Sequence, residues 1–163
     1  MKRKYSLTEI SDFIELTYKT VPEICIGTDV IVGFPGESEE SFERTYKTLK
    51  ELPIHYFHVF SYSKRPMAKS QDFDAEVDPK IIQRRSALLR TLSQQKRESY
   101  YEKFLGTHHK ILFEEKKNSY FTGLSEHYIR VNVLSDKNLH NQIHAVKFNK
   151  IAGQNILGEL IQN

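Results

Sequence analysis

The sequence predicts an α/β domain followed by a small all-β barrel. Three observations indicate this: helix and strand patterns alternate over residues 1–105, a long basic helix occupies 79–105, and short strands fill 106–163. Alternating helices and strands are typical of a parallel sheet with right-handed crossovers. Five short strands within 106–163 favour a closed barrel of the oligonucleotide-binding kind.

The first helix is predicted by a capping box and an apolar stripe. Ser6 and Glu9 have the spacing of that box, and Pro22 ends the helix. The stripe comprises Ile10, Phe13, Ile14, Thr17, Tyr18 and Val21. The apolar run from Ile24 to Val32 then indicates a strand buried on both faces, with Cys25 inside it.

A glycine-bearing turn from Gly33 to Glu37 follows this strand and leads into a second helix. Ser38 is suited to cap that helix and Pro53 closes it, with a buried stripe of Phe42, Tyr46, Leu49 and Leu52. A second strand covers Tyr56 to Tyr62. Ligands of α/β sheets bind beyond the carboxyl ends of strands, where this turn lies. The alternative is that the turn is only a tight connection.

The basic helix and the strands after it complete the chain. Asp78 and Pro79 predict the helix start and Gly106 its end, with an apolar side of Ile81, Ile82, Leu88, Leu89, Leu92, Tyr100 and Phe104. The strands predicted beyond it are 110–114, 120–124, 128–133, 143–148 and 156–161.

Composition and charge bound the classes of protein. The chain has 163 residues, 39% of them hydrophobic, which suits one ordinary domain or two small ones. Residues 1–78 carry fourteen Asp/Glu and ten Lys/Arg, whereas 79–105 carry two and seven. A basic second half suggests a polyanionic partner, and a solvated helix face is the alternative. No apolar run is long enough to span a membrane, so we predict a cytoplasmic protein with no membrane partner.

Few residues have the pattern of a reactive or metal-binding site. Cys25 is the only cysteine, which supports no disulfide, zinc or cluster site. The seven histidines match no compact ligand spacing, so we predict no metal ligands. We also predict no catalytic residues in this chain. Phosphate binding by an α/β enzyme through Gly33–Gly36 is a weaker possibility, because no acid, base or nucleophile accompanies the turn.

The barrel strands carry candidate RNA-binding residues. Strand alternation places Tyr128 and Arg130 on one side, where they can stack and supply a cation. The phosphate contacts are predicted to be Lys110, Lys116, Lys117, Lys147 and Lys150. A generic β domain without an RNA role is the alternative.

The ordered segments YSLTEI, TDVIVGFPGESEESF and HVFSYSKRP, with the basic helix and terminal barrel, resemble the radical-SAM methylthiotransferases over nearly the whole chain. HVFSYSKRP and TGLSEHYIRV are most similar to the branch that acts on threonylcarbamoyl-adenosine beside the anticodon of tRNA. The resemblance implies that residues 1–105 are the C-terminal part of a partial TIM-type radical-SAM barrel. It also implies that 106–163 are a TRAM domain that holds tRNA.

The resemblance also implies roles for individual residues. S-adenosylmethionine would contact Asp29, Ile31, Gly33, Pro35, Gly36, Glu37, Phe60 and Ser61, and Glu37 would organise the turn. Lys64 and Arg65 would lie in the loop that faces the reaction centre and contact RNA.

The resemblance implies two [4Fe–4S] clusters, one held by a CxxxCxxC motif that this sequence lacks and a second held by an amino-terminal domain. We therefore expect an N-terminal part of the same enzyme as a partner, and no catalysis by this chain alone. The alternative is a stand-alone, non-catalytic RNA-binding protein. An incomplete barrel would also leave a sheet edge unpaired, which predicts self-association.

Overall fold

The chain forms two compact units, Met1–Lys96 and Arg97–Asn163, in a computed structural model that describes residues 4–64, 73 and 75–161. The first unit contains α1 (Leu7–Thr20), β1 (Gly27–Val32), α2 (Glu39–Glu51), β2 (Tyr56–Ser61) and most of α3 (Pro79–Glu102). The second contains the end of α3 and then β3 (His108–Lys117), β4 (Tyr120–Ser125), β5 (Arg130–Leu134), β6 (Ile143–Ala152) and β7 (Asn155–Leu160). The predicted order, α/β and then all-β, is confirmed.

The sheet of the first unit is the parallel pair β1–β2, with Asp29 opposite His58 and Ile31 opposite Phe60. Its burial alternates, because Val30 and Val32 are buried whereas Asp29 and Ile31 are exposed. The prediction of a strand buried on both faces was therefore wrong, since helices cover only one face of this pair within the described residues. Cys25 is half-buried and precedes β1 instead of lying inside it.

The core of the first unit lies between this sheet face and the helices. Its buried members are Ile14, Val30, Val32, Phe42, Leu49, Leu52, Ile54, Phe57, Leu89 and Leu92. The capping box of α1 is confirmed: the Ser6 hydroxyl accepts from the Glu9 N–H, and the Glu9 carboxylate accepts from the Ser6 N–H. Ser38 caps α2 by accepting from the Ser41 N–H.

Two predicted apolar stripes included residues that the structure leaves exposed. Phe13 on α1 is 64% exposed and Val21 is 49% exposed. Ile81 and Leu88 on α3 are 37% and 45% exposed. Each helix buries a narrower stripe than its apolar residues suggested. Successive side chains point about 100° apart around a helix, so a residue next to a buried one can face solvent. On α3 that stripe is Ile82, Arg85, Ser86, Leu89, Leu92 and Ser93.

The second unit is a closed barrel with the strand order β3-β4-β5-β7-β6. Every pair is antiparallel except β5–β7, and bulges interrupt the register at Phe113/Glu115 and Phe148/Lys150. The inward-facing side chains that are fully buried include Ile111, Phe113, Phe121, Val131, Val133, Val146, Phe148 and Ile156. Tyr100, Tyr101 and Phe104 are buried in the same unit.

Tyr128 does not lie in a strand as predicted. It occupies the turn between β4 and β5 with φ 59°, and its N–H donates to the Ser125 carbonyl at 3.0 Å. The left-handed conformation breaks strand alternation, so β5 begins only at Arg130.

None of the described helices combines the length and the apolar character needed to cross a bilayer.

Candidate functional site

The uncovered face of β1–β2 brings several predicted cofactor residues together. Parallel pairing places Asp29 and Ile31 beside His58 and Phe60 on this open face. Ile31 is 42% exposed and Phe60 is 52% exposed, so an apolar surface is available next to two polar groups. His58 was not among the predicted residues, although alternation from Phe60 would have placed it here.

The turn after β1 has the geometry that its glycines predicted. Gly33 and Gly36 have φ of 81° and 83°, which side-chain-bearing residues rarely adopt. A Cβ on Gly33 would also overlap the side chain of Ile82 on α3. The Glu37 carboxylate accepts from the Gly33 N–H at 2.7 Å, so Glu37 ties the two ends of the turn together.

Arg85 of α3 holds this carboxylate in place. Its Nη1 donates to both the Glu37 carbonyl and Glu37 Oε2 at 3.0 Å, and its Nη2 donates to Glu39 Oε2 at 2.8 Å. The Arg85 side chain is 3% exposed and its guanidinium carbon lies 5.1 Å from the centre of the Phe42 ring. The hydrogen bond from Arg85, with help from Arg84, holds the pKa of the Glu39 carboxyl below its usual value.

The Glu37 carboxylate is therefore committed to the turn and is not placed to act as a base. This matches the organising role expected of Glu37. Arg85 was missed at the level of the sequence, although one signal pointed to it. It lies three residues after Ile82 and four before Leu89, so a charged residue occupies the buried stripe of α3. A buried charge of this kind requires a partner.

The remaining predicted residues near the turn differ in position. The Ser61 hydroxyl lies on the covered face of the sheet, 3.4 Å from the Ser86 hydroxyl, so only its backbone can contribute to the open face. Lys64 forms an ion pair with Glu76. Arg65 lies outside the described residues. Pro35 and Gly36 lie in the turn, and the Gly36 N–H donates to the Ala75 carbonyl at 2.7 Å.

The predicted RNA-binding residues of the barrel are exposed but do not form one cluster. The β3–β6 register places Lys110 opposite Ala145 and Lys147 opposite His108, so these two lysines are neighbours. Lys116 and Lys117 lie at the other end of β3, where Lys116 Nζ is 5.0 Å from the centre of the Phe121 ring. Lys150 pairs with Leu157. Exposed Tyr128 and Arg130 lie in and just after the β4–β5 turn.

Histidines that are distant in sequence meet at one end of the barrel. His109, Glu126 and His127 place three potential ligand atoms within 4.8 Å of one another. Histidine spacing along the chain could not indicate this group, because the β3–β4 hairpin creates it. Continuing the pairing of Ile111 with Ser125 by two residues sets His109 opposite His127.

Comparison with known proteins identifies relatives among enzymes that modify tRNA. No protein-family profile matches the chain. The chain is 39% identical over 131 residues to the threonylcarbamoyladenosine tRNA methylthiotransferase MtaB of Aquifex aeolicus, covering 80% of this chain and 31% of the relative. It is 31% identical over 162 residues to the tRNA-2-methylthio-N(6)-dimethylallyladenosine synthase of Nitratiruptor sp., covering 99% and 37%.

A third relative is the MtaB of Bacillus subtilis, which is 32% identical over 155 residues, covering 92% of this chain and 34% of the relative. The chain thus spans about a third of the length of the curated relatives that it matches. The similarity extends over most of the chain, so these tRNA methylthiotransferases are its homologues.

Proposed function

We propose that this chain is the C-terminal portion of a tRNA methylthiotransferase that modifies threonylcarbamoyl-adenosine beside the anticodon. Two of the relatives described above are named for that substrate. The observation that carries the proposal is the open face of β1–β2, which ends in the Gly33–Glu37 turn.

The open face has the chemistry of one wall of an S-adenosylmethionine site. Ile31 and Phe60 are exposed neighbours on paired strands, and a flat apolar surface suits an adenine ring. Asp29 and His58 lie beside them and can hydrogen-bond polar parts of the ligand. The Gly33 N–H is already donated to Glu37, so the turn contributes its shape and its other backbone groups.

The residues of this chain do not fit a [4Fe–4S] cluster. Such clusters are held by several thiolates, and Cys25 is the only cysteine in the sequence. Cluster ligands would belong to the larger share of the relatives that this chain does not match. With iron, sulfide, reductant and S-adenosylmethionine, we expect the isolated chain to form no 5′-deoxyadenosine. Formation of that product would contradict this part of the proposal.

A chimera tests the enzyme assignment directly. In the chimera, this chain replaces the matching third of the Bacillus subtilis relative. The chimera is expressed in cells that lack the native enzyme, and their tRNA is analysed by mass spectrometry. We expect the methylthio group on threonylcarbamoyl-adenosine, and we expect Phe60→Ala to reduce it because the variant loses the exposed aromatic wall. Phe13→Ala is the matched control, since Phe13 is another exposed phenylalanine, on α1. A chimera in which Phe60→Ala and Phe13→Ala behave alike would refute the role of the open face.

A stand-alone RNA-binding protein is the second candidate, supported by the exposed basic residues of the barrel. Phosphate contacts release counterions, so affinity for tRNA should fall steeply with salt. Fluorescence anisotropy at several salt concentrations gives the slope of log affinity against log salt concentration. This slope should become shallower by about one for each phosphate contact removed. Lys147→Glu changes the basic residues beside the start of β3, and Lys117→Glu changes those at its end. Lys19→Glu on α1 is the control for net charge. Binding without a salt slope would exclude this candidate.

A further inference from the structure

The mouth of the barrel near Phe104 contains an unusual group of polar side chains. His109 continues the inward-facing series of Ile111 and Phe113 on β3, and His127 follows inward-facing Ser125 beyond β4. The side chains of His109 and His127 are 12% and 16% exposed. The Phe104 ring lies 4.7 Å from the His127 ring. The two imidazoles thus lie where apolar core side chains lie deeper in the barrel.

Hydrogen bonding through Thr107 favours one tautomer of His109. The Thr107 hydroxyl donates to the Phe104 carbonyl at 2.6 Å. Its oxygen is therefore available as an acceptor for His109 Nε2, which lies 2.8 Å away. This arrangement favours the neutral ring that carries its proton on Nε2 and its lone pair on Nδ1.

That lone pair faces a carboxylate. His109 Nδ1 lies 3.2 Å from Glu126 Oε1, and the same oxygen lies 4.0 Å from His127 Nε2. In the tautomer whose Nε2 donates to Thr107, the Nδ1 lone pair and the carboxylate oxygen are both acceptors, and a metal ion between them would satisfy both. The group offers an ion three ligand atoms, which are two imidazole nitrogens and one carboxylate oxygen.

We propose that His109, Glu126 and His127 bind a divalent transition-metal ion of the zinc type. Imidazole and carboxylate are common ligands of Zn²⁺ at about 2.0–2.2 Å, which separates neighbouring ligands in a tetrahedron by about 3.4 Å. The measured separations of 3.2 and 4.0 Å approach that value, so small side-chain rotations complete the site. Thr107 fixes the orientation of His109 through its other nitrogen, as groups behind metal-bound histidines do. Water takes the fourth position.

Calorimetry of the full chain, free of affinity tags and treated with a chelator, tests the proposal at pH 7.5. We expect one equivalent of Zn²⁺ to bind and Mg²⁺ not to compete, because Mg²⁺ prefers an all-oxygen octahedron. Glu126→Gln should weaken zinc binding by about tenfold or more. The matched control His140→Gln removes an exposed histidine outside the group and should leave the affinity unchanged. Equal affinity for Glu126→Gln and the unsubstituted chain would overturn the proposal.

Imidazole ¹⁵N spectra of the unsubstituted chain provide a readout that does not depend on any variant. Zinc should shift Nδ1 of His109 and Nε2 of His127 and leave Nε2 of His109 protonated. Shifts confined to other histidines would refute the site. A His109 ring that stays doubly protonated at saturating zinc would show that a proton, not a metal, occupies the space between the acceptors.

Discussion

Replacing Arg85 with methionine tests whether the turn after β1 is held by a buried charge. The substitution removes the donors to the Glu37 carbonyl, to the Glu37 carboxylate and to Glu39, while methionine retains much of the apolar stem beside Phe42. Glu37 is only 13% exposed, so its carboxylate loses its main cation in a partly dry environment. Removing one partner of a buried pair costs about 3–5 kcal/mol. Because the Gly33 N–H still binds this carboxylate, we expect about 3 kcal/mol.

Arg84, in the preceding position of α3, is a matched control. It also pairs with Glu39, at 2.6 Å, but its side chain is 57% exposed. Arg84→Met should therefore cost at most about 1 kcal/mol, the range of surface ion pairs. Adding Glu37→Gln to Arg85→Met should recover stability, because the double variant leaves no uncompensated carboxylate in the turn.

The assay is urea unfolding followed through the methyl resonances of Val30 and Val32, which lie in the core of the first unit. The midpoint should fall without a change in slope, since the substitution alters stability and not the area exposed on unfolding. Equal midpoints for Arg85→Met and Arg84→Met would refute the reasoning. So would a double variant no more stable than Arg85→Met alone.

Three further predictions concern other parts of the molecule. Tyr128→Gly should change the free energy of unfolding by less than about 1 kcal/mol, because relief of the left-handed φ offsets the flexibility of glycine. Tyr120→Gly in β4 should destabilise the protein, and equal losses of stability in thermal unfolding would contradict this. The pKa of Glu39 is lowered in the folded state, so its contribution to stability is present above the unfolded pKa and disappears as the pH falls through the folded value. Arg85→Met should move that pKa back towards 4.5 in a ¹³C carboxyl titration, and an unchanged value would exclude Arg85 as the cause. The edges of the β1–β2 sheet should promote self-association, and light scattering that shows a monomer at every concentration would count against it.

The parts of the fold that depend on neighbouring residues could be predicted from the sequence. Ser6 and Glu9 are three residues apart, and the cap they form needs nothing from the rest of the chain. The turn at Gly33 and Gly36 was equally accessible, because only glycine adopts its backbone angles readily. The strand count of the barrel followed from alternation and turn residues.

The parts that depend on distant contacts could not be predicted. Ile82 is partly buried whereas adjacent Ile81 is exposed, because only the face of α3 that carries Ile82 packs against the core. Glu37 and Arg85 meet across 48 positions of sequence, and hydropathy carries no information about that pairing. Tyr128 shows a further limit, since a left-handed tyrosine in a turn looks like the first residue of a strand when only alternation is considered.

The position of β7 between β5 and β6 has a consequence for biosynthesis. Val131 pairs with Ile156 in the only parallel contact of the barrel, and β6 pairs with β7 along the opposite side. One late segment therefore joins two strands made earlier, and the ring stays open on the ribosome until this segment emerges. A nascent chain halted before Asn155 would expose the unpaired edges of β5 and β6 at once, and such edges favour association with other chains.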